Sequence, residues 1–596
     1  MKLTLDWRDD DRIVVSVQEK NDFLWDKARK IFPDAAFLDA DAFLVLFNEL
    51  LAKWKSLLNC LRAYNVEFCV SDRLKQDVAR FNENQNVNRN YSREILLDRL
   101  EKAGFKRTLT DFQVENVCRL TRKNQGATFS VPGAGKTTEA LAFFYSTAEA
   151  TDKLLVIAPL NAFGAWDEQL VACTEKKDIS FVRLKGGPEN VERLLRENHR
   201  FLLTNYEMLR SEAPFKKIQE YLCRNHDSVY VFLDESHKIK NDRTALARAI
   251  QRMQCYPKAK LIMSGTPMPQ SAKDLIPQYN FLFPADQVVE QNVIEKFQNI
   301  YVRTTAKRLG ITPIKWRCKR IELDEIELRL YQQMRSLSQA AIGREYSFDA
   351  KFLRKLGKSV MRLMAFVSNP SLVANHFAAV SPELRRYLCT KDGRKIEYVC
   401  YRARQLASQH KKVLIWSSFV KNVELISHRL QDLGADYIHG GVKAGDVNDP
   451  TSREGKIHRF HEQGGEHMVL VANPAAASEG ISLHKACQYA IYLDRTFNAA
   501  HFLQSQDRIH RLGLPPNSEP EIELVICPNT IDELVDERLK RKIEAMAVAL
   551  NDASIVPSDP LQLYDEENED GLEVDSTDSG ISPEDVKSIL AHLRAI

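Results

Sequence analysis

Apolar residues in the first half of this chain fall into two alternating arrangements. One is a short, nearly continuous apolar run: LLVIAPL at 154–160, FLLTNYEML at 201–209, VYVFLD at 229–234 and LIMSG at 261–265. The other has apolar residues three and four positions apart, as in TTEALAFFYSTAEA from Thr137 onward. Apolar runs of strand length separated by amphipathic helices predict a parallel sheet covered on both faces. In such sheets ligands collect at the carboxyl ends of the strands. The polar residues that follow these runs are therefore the first places to look for chemistry.

The ends of the chain are patterned differently. MKLTLDW and RIVVSVQ alternate apolar and polar residues around Arg8–Arg12, which predicts a β-hairpin. From Asp41, AFLVLFNELLAKWKSLLNCLR predicts one strongly apolar helix. Residues 1–90 thus read as a small α+β domain, with ENQNVNRNY at 83–91 as a polar linker. Ser92 is placed to cap a helix that stops at Gly104, and Leu109–Gln113 opens the next helix. At the other end, residues 551–585 are acidic and too poor in apolar residues to fold alone. Ser582-Pro583-Glu584-Asp585 then starts a helix with one apolar stripe, Val586, Ile589, Leu590 and Leu593. So short a helix is marginal in water, so it is expected to dock on its own body or on a partner.

Composition narrows the class. At 596 residues, with 44% hydrophobic and 28% charged positions, the chain reads as a soluble globular protein of several domains. No apolar stretch is long enough to span a membrane, and the charged start MKLTLDWRDDDR does not read as an export signal. Eleven cysteines are scattered with no C-x-x-C pair, which argues for a reducing compartment and against a structural zinc. A cytoplasmic location is expected, associated with the nucleoid if the source is bacterial. Net charge is +3, but residues 559–585 hold eleven acidic and no basic residues, leaving +14 on the rest. A basic body with an acidic tail suits a polyanionic partner.

The densest chemical signal lies at Phe129–Thr138, FSVPGAGKTT. Pro132, Gly133, Ala134, Gly135, Lys136, Thr137 and Thr138 read as a phosphate-binding loop opening a helix. Glycines let the backbone turn its N–H groups toward an anion. Lys136 supplies charge for the outer phosphates of ATP, and the Thr137 hydroxyl can ligand Mg²⁺. The helix N-terminus adds its partial positive charge. One departure stands out: Ser130 occupies the position where the eight-residue loop consensus begins with Gly. Gln113, upstream on its helix, is suited to the amidine edge of adenine. Asp234-Glu235 closes a hydrophobic strand, where a buried acidic pair is costly unless it serves a metal or a water. Asp234 suits Mg²⁺ beside Thr137, and Glu235 suits deprotonation of the attacking water.

With Ser264-Gly265-Thr266-Pro267 added, the order GxGKT, DESH, SGTP resembles the superfamily-two helicases, specifically the Swi/Snf-type ATPases. Phe281-Leu-Phe283-Pro284, Tyr301–Arg308 and Leu363–Pro370 are similar to family elements around the bridge between two motor lobes. KKVLIWSSF at 411–419, YIHGG at 437–441 and MVLVANPAAASEGISLH at 468–484 match a second lobe. Gln504-x-x-Asp507-Arg508-x-x-Arg511-x-Gly513 resembles the family's last motif, with both arginines expected on one helix face. DESH stands for the commoner DEAH, Phe497-Asn498-Ala499-Ala500 for a Trp-Asn-Pro, and Ala476–Gly480 lacks a glycine pair.

The resemblance implies an α/β fold of two RecA-like lobes with parallel sheets, a small α+β amino-terminal domain and helical bridge elements. It implies lobe one at 91–290, a helical bridge at 291–393, lobe two at 394–550, an acidic tail at 551–585 and a short helix at 586–596. It further implies ATP-dependent translocation on, or remodelling of, duplex DNA. Lys136, Glu235, Arg508 and Arg511 would be catalytic, with Gly480 adding to the nucleotide site. His237, Ser264, Thr266 and Gln504 would couple nucleotide state to the nucleic-acid face. Asn161, Thr204, Asn205, Ser417 and Ser478 would contact nucleic acid. Three alternatives stay open: a strand-separating helicase or RNA-dependent ATPase, a non-hydrolysing scaffold, and a motor subunit serving a separate nuclease in repair or anti-phage defence. A protein partner would meet the amino-terminal domain or the carboxy-terminal helix.

Overall fold

The computed structural model describes residues 2–594 apart from 10–11, 19–20, 33–34, 177–178, 243, 287, 343–349, 378–381, 444, 463, 478–481, 516–517 and 557–582. The chain divides into two compact units, Met1–Met268 with Ala272–Thr304, and Pro269–Ser271 with Thr305–Ile596. Among the described residues no helix is long and apolar enough to cross a membrane.

The first unit holds two sheets. The amino-terminal one contains β1 (Lys2–Trp7), β2 (Arg12–Gln18), β3 (Ala36–Asp39), β4 (Ala42–Leu46) and β5 (Glu67–Val70), in the order β3-β4-β2-β1-β5. The predicted β1–β2 hairpin forms in antiparallel register, Lys2 opposite Gln18 and Trp7 opposite Ile13. The single helix expected from Asp41 does not: Ala42–Leu46 is the strand β4, and the helix is Phe47–Ala63. Both AFLVL and the helix behind it are apolar. A short fully buried run has no period by which strand and helix can be told apart. The polar turn at Asp39–Asp41, where Asp41 N–H donates to Asp39 Oδ1 at 2.8 Å, brings β4 back against β3.

The second sheet contains β6 (Gln125–Thr128), β7 (Lys153–Ile157), β8 (Val182–Arg183), β9 (Phe201–Thr204), β10 (Val229–Asp234), β11 (Ala259–Met263) and β12 (Tyr301–Val302). Its order is β12-β6-β11-β10-β7-β9-β8, and every pair is parallel. All four residues of β6, all six of β10 and all five of β11 are buried, so these strands are covered on both faces. The helix Lys136–Thr147 lays Phe143 and Phe144 on Tyr230 and Phe232. Each such buried aromatic stabilises the sheet–helix layer by about 2 kcal/mol. The edge strand β12 lies past residue 290, so this sheet draws on the segment expected to belong to the bridge.

The second unit holds β13 (Lys315–Arg320), β14 (Val413–Trp416), β15 (Asp436–Ile438), β16 (Val469–Ala472), β17 (Tyr489–Tyr492) and β18 (Glu521–Ile526). This sheet is also parallel throughout, in the order β13-β18-β17-β14-β16-β15. The bridge helices Glu325–Ile342 and Ala350–Ser368 share one core with it, through Tyr331, Leu356, Val360 and Leu363.

The carboxy-terminal helix, Pro583–Arg594, docks inside this unit. Its whole stripe is buried, Val586, Ile589, Leu590 and Leu593 all entering the same core. The expected cap Ser582 lies outside the described residues. Asp585 is fully buried between Arg538, at 2.7 Å, and Lys542 of the helix Ile531–Ala549. His592 meets the Tyr331 hydroxyl at 2.8 Å, and that hydroxyl accepts the Ile531 N–H at 2.8 Å. Asp585→Ala leaves two buried cations without their shared counter-charge. It is expected to lower stability by about 3–5 kcal/mol, read as a fall in the urea midpoint, with no comparable loss for Lys587→Ala at an exposed position of the same helix.

Candidate active site

Strand β6 ends at Thr128, and the loop after it turns into the helix Lys136–Thr147. Gly133 and Gly135 both have φ of +86°, the left-handed region that only glycine enters at little cost. At Gly135 space excludes a side chain as well, since a Cβ would lie 2.4 Å from Gln113 Nε2. Gln113 is thus built into the loop. Its Oε1 accepts the Thr110 N–H at 3.0 Å, closing a capping box, and its Nε2 donates to the Ala134 carbonyl at 3.1 Å. Both ends of the amide that suits adenine are spent in this structure, one on its own helix cap and one on the loop.

Lys136 Nζ donates to the Ser130 carbonyl at 3.0 Å, folding the ammonium back over the loop's entrance. Thr137 is half-buried in the first turn. Thr138 is buried, and its hydroxyl donates to Gln169 Oε1 at 3.0 Å, so its side chain serves packing against the helix Phe163–Thr174.

Asp234 ends β10 and is held from three sides. Trp166 Nε1 donates to its Oδ2 at 2.9 Å, the Glu235 N–H to its Oδ1 at 3.0 Å, and the Tyr206 hydroxyl to its carbonyl at 2.6 Å. Glu235 sits at φ +51°, unusual for a non-glycine residue and a form of strain that clusters at functional sites. Its Oε2 is buried and accepts no hydrogen bond. His237 Nδ1 stands 3.3 Å from that oxygen but is bonded to Ser264 Oγ at 2.9 Å. Ser264 Oγ also accepts the Thr266 N–H at 3.1 Å, while Thr266 Oγ1 is buried without a partner. Burial, then the neighbouring Glu235 charge, push the Asp234 carboxyl up from its ordinary value. Burial acts on Glu235 too, but His237, Lys136 and Lys238 outweigh it and hold that carboxyl down. Two adjacent carboxyls, Asp234 buried and Glu235 half-buried with an orphaned oxygen, are a set of hard oxygen donors suited to a hydrated Mg²⁺ with Thr137.

Gly265 ties the third motif to the first: a Cβ there would stand 3.1 Å from Pro132 Cδ. Gln278 braces the same region, accepting from Ser236 Oγ at 2.7 Å and donating to the Pro267 carbonyl at 2.7 Å. The predicted nucleic-acid residues divide. Asn161 is exposed in the turn Leu160–Ala162. Thr204 is fully buried with its hydroxyl unpartnered. Asn205 caps the helix Tyr206–Arg210, accepting the Met208 N–H at 2.8 Å.

In the second unit Ser417 is buried, its hydroxyl donating to Asp494 Oδ2 at 2.7 Å, so the half-buried Ser418 is the residue presented at the end of β14. Asp494 also accepts from the Ser418 N–H at 2.6 Å and from Ser368 Oγ at 2.5 Å. Ser418, Asn473 and Asp494 line a cavity of about 300 Å³ at the strand ends. Gln504 is buried, and its carbonyl accepts from Arg508 Nε at 3.0 Å. The two arginines do not share a helix face: the helix Ala499–Gln506 stops before them, with Asp507 as its C-cap, and both lie in the turn beyond. Ser478 and Gly480 lie outside the described residues.

Sequence reasoning missed Trp166, Tyr206, Gln278 and Asp494, and also Glu139. Glu139 is fully buried under the loop, accepting from Asn116 Nδ2 at 2.7 Å and Thr128 Oγ1 at 2.8 Å. Burial pushes its carboxyl up from 4.5 to about 7. The folded protein therefore keeps this proton where the unfolded chain has lost it. Stability falls as pH rises from about 4.5 to about 7, and the cost persists above that. Glu139→Gln, which keeps both bonds available, is expected to raise Tm at pH 8 and to leave it nearly unchanged at pH 5, the full difference being on the order of 3 kcal/mol.

Residues 112–372 match the family model of the SNF2-related domain, and residues 394–513 match that of the helicase conserved C-terminal domain. The chain is 22% identical over 425 residues to human chromodomain-helicase-DNA-binding protein 8, covering 64% of this chain and 16% of that protein. It is 24% identical over 475 residues to the ISWI chromatin-remodeling complex ATPase ISW2 of Saccharomyces cerevisiae, covering 73% of this chain and 40% of the relative. This chain thus spans less than half the length of either relative. A solved SWI2/SNF2 ATPase core from Sulfolobus solfataricus, in complex with dsDNA, aligns with 75% of this chain and 94% of its own, at 18% identity and a TM-score of 0.32.

Proposed function

We propose that this chain, which belongs to the Swi/Snf-type ATPases of helicase superfamily two, is an ATP-driven motor that translocates on duplex DNA. One observation carries the reading. A glycine-turned loop with Lys136, and an acidic pair of buried Asp234 and half-buried Glu235 whose Oε2 has no hydrogen-bond partner, stand at the carboxyl edge of one parallel sheet.

In this reading ATP supplies the phosphoryl group passed to water, and Mg²⁺ neutralises charge on its phosphates. The loop N–H groups and Lys136 bind the phosphates. Thr137 and Asp234 hold the metal, with Trp166 and Tyr206 fixing the Asp234 carboxylate and carbonyl. Glu235 orients the attacking water and takes its proton. His237 reports the state of Glu235 to Ser264 and Thr266. Arg508 and Arg511 join the site on lobe closure, so that hydrolysis and movement are one event. Asn161, Asn205 and Ser418 are small polar groups suited to phosphates rather than base edges, so little sequence preference and a steep salt dependence follow. The carboxy-terminal helix spends its stripe inside its own unit, which narrows the place for a protein partner to the amino-terminal domain.

Displacement of a labelled third strand from a DNA triplex tests this directly. ATP-dependent displacement, with the two duplex strands staying paired, is the expected result. Release of one strand from a plain duplex without triplex displacement would favour a strand-separating helicase. Turnover stimulated only by RNA would contradict the duplex reading.

A further inference from the structure

Ser130, the one departure from the loop consensus, sits in a buried chain of polar groups that the catalytic reading does not use. Strand β12 runs beside β6 up to the phosphate loop, with Phe129 N–H donating to the Val302 carbonyl at 2.9 Å. The pairing then continues past both strands. The Thr304 carbonyl accepts the Val131 N–H at 3.1 Å, and the Thr304 N–H donates to Ser130 Oγ at 3.0 Å. The Thr304 hydroxyl accepts from Asn116 Nδ2 at 2.9 Å. All three polar groups of Thr304 are therefore spent on the loop or on what lies beneath it.

From Asn116 the chain of bonds goes on. Its amide also donates to Glu139, which accepts from Thr128 Oγ1, and that hydroxyl lies 3.3 Å from Ser130 Oγ. The circuit Thr304–Asn116–Glu139–Thr128–Ser130 closes on itself. Every member is buried, four of the five at 0% exposure and Asn116 at 1%. Water cannot replace a broken link cheaply, so the circuit moves as a body or not at all. Glu139 lies on the helix that opens with Lys136, and Ser130 carries the carbonyl that Lys136 holds. Thr304 is the last residue of the first unit, and the chain enters the second unit at Thr305. A glycine at position 130 would have no hydroxyl to accept the Thr304 N–H.

We propose that Thr304 is a positioning residue that transmits occupancy of the phosphate loop, through Ser130, Asn116 and Glu139, to the segment joining the two units. This inference rests on the nucleotide reading of the loop. Phosphates that draw Lys136 away from the Ser130 carbonyl free the backbone of one member of the circuit, and Thr304 carries the shift into residues 305 onward.

Hydrogen–deuterium exchange of the peptide spanning residues 305–312, with and without Mg-ADP, tests it. In the unmodified protein Mg-ADP is expected to change that exchange rate at least about threefold. Thr304→Val keeps the shape and the backbone bonds but removes the hydroxyl. It should abolish the response while Mg-ADP affinity stays within about threefold and Tm within a few degrees. Thr304→Ser keeps the hydroxyl and should restore the response, which a purely structural role for this side chain would not require. A full response in Thr304→Val overturns the proposal and leaves the nucleotide reading standing. Failure of the unmodified protein to bind Mg-ADP overturns both. Should Thr304→Val unfold, Asn116→Asp decides instead. It faces Glu139 with a second acid, and a retained response in that variant counts against the circuit.

Discussion

Lys136→Ala is expected to reduce ATP turnover by about 10²- to 10³-fold, the scale seen when one preorganised charge contact to a transition state is removed. The loss should fall on binding as well as on rate, because the ammonium faces phosphate charge in the ground state too. In the structure Lys136 Nζ is held by a single carbonyl, that of Ser130, and keeps an ammonium's further donors for a ligand. Isothermal titration with Mg-ADP, alongside steady-state phosphate release, checks both halves. Turnover within a few-fold of the unmodified protein would remove the loop from the mechanism.

Glu235→Gln should behave differently. Turnover falls by about 10²- to 10⁴-fold, the range for losing a general base, while nucleotide affinity is kept or improved. The reason is electrostatic. Glu235 lies beside the buried Asp234, and after burial its charge is the main cause that pushes the Asp234 carboxyl up. Replacing one by a neutral amide relieves the pair and lets Asp234 ionise more readily beside a cation. Single-turnover kinetics would then show ATP bound and uncleaved. Asp234→Asn, by contrast, removes the carboxylate offered to the metal and leaves Trp166 without its charged acceptor, so both affinity and rate should drop. The two variants together separate an acid that holds a cation from one that activates water.

Most of the frame of this site is legible in sequence because it is local. The glycine pattern, the lysine after it and the acids that end a buried strand each lie within ten residues of a strand end, where backbone geometry follows from neighbouring side chains. What could not be read joins distant positions. Trp166 finds Asp234 across 68 residues, and Asn116 finds Thr304 across 188. Nothing in the spacing of either pair marks it. Gln113 shows the same limit from the other side. Its polarity on a helix before the loop was visible, but its use depends on where Ala134 and Gly135 come to rest. The arginines Arg508 and Arg511 have helical spacing, yet the helix ends at Gln506. Helix boundaries are weakly encoded where no glycine or proline marks the stop. The apolar stripe of the carboxy-terminal helix was plain, whereas its choice of its own unit depended on Asp585 meeting Arg538 and Lys542, again a long-range match.

The measurement that tests the central claim most directly is steady-state phosphate release from ATP, first with no nucleic acid, then with duplex DNA, single-stranded DNA and RNA. Lys136→Ala serves as the blank. The account predicts low basal release, strong stimulation by duplex DNA that weakens steeply with salt, and release about 10²- to 10³-fold lower in the variant. Release that is unchanged by every polymer, or that stays within a few-fold of the unmodified protein in Lys136→Ala, would contradict it.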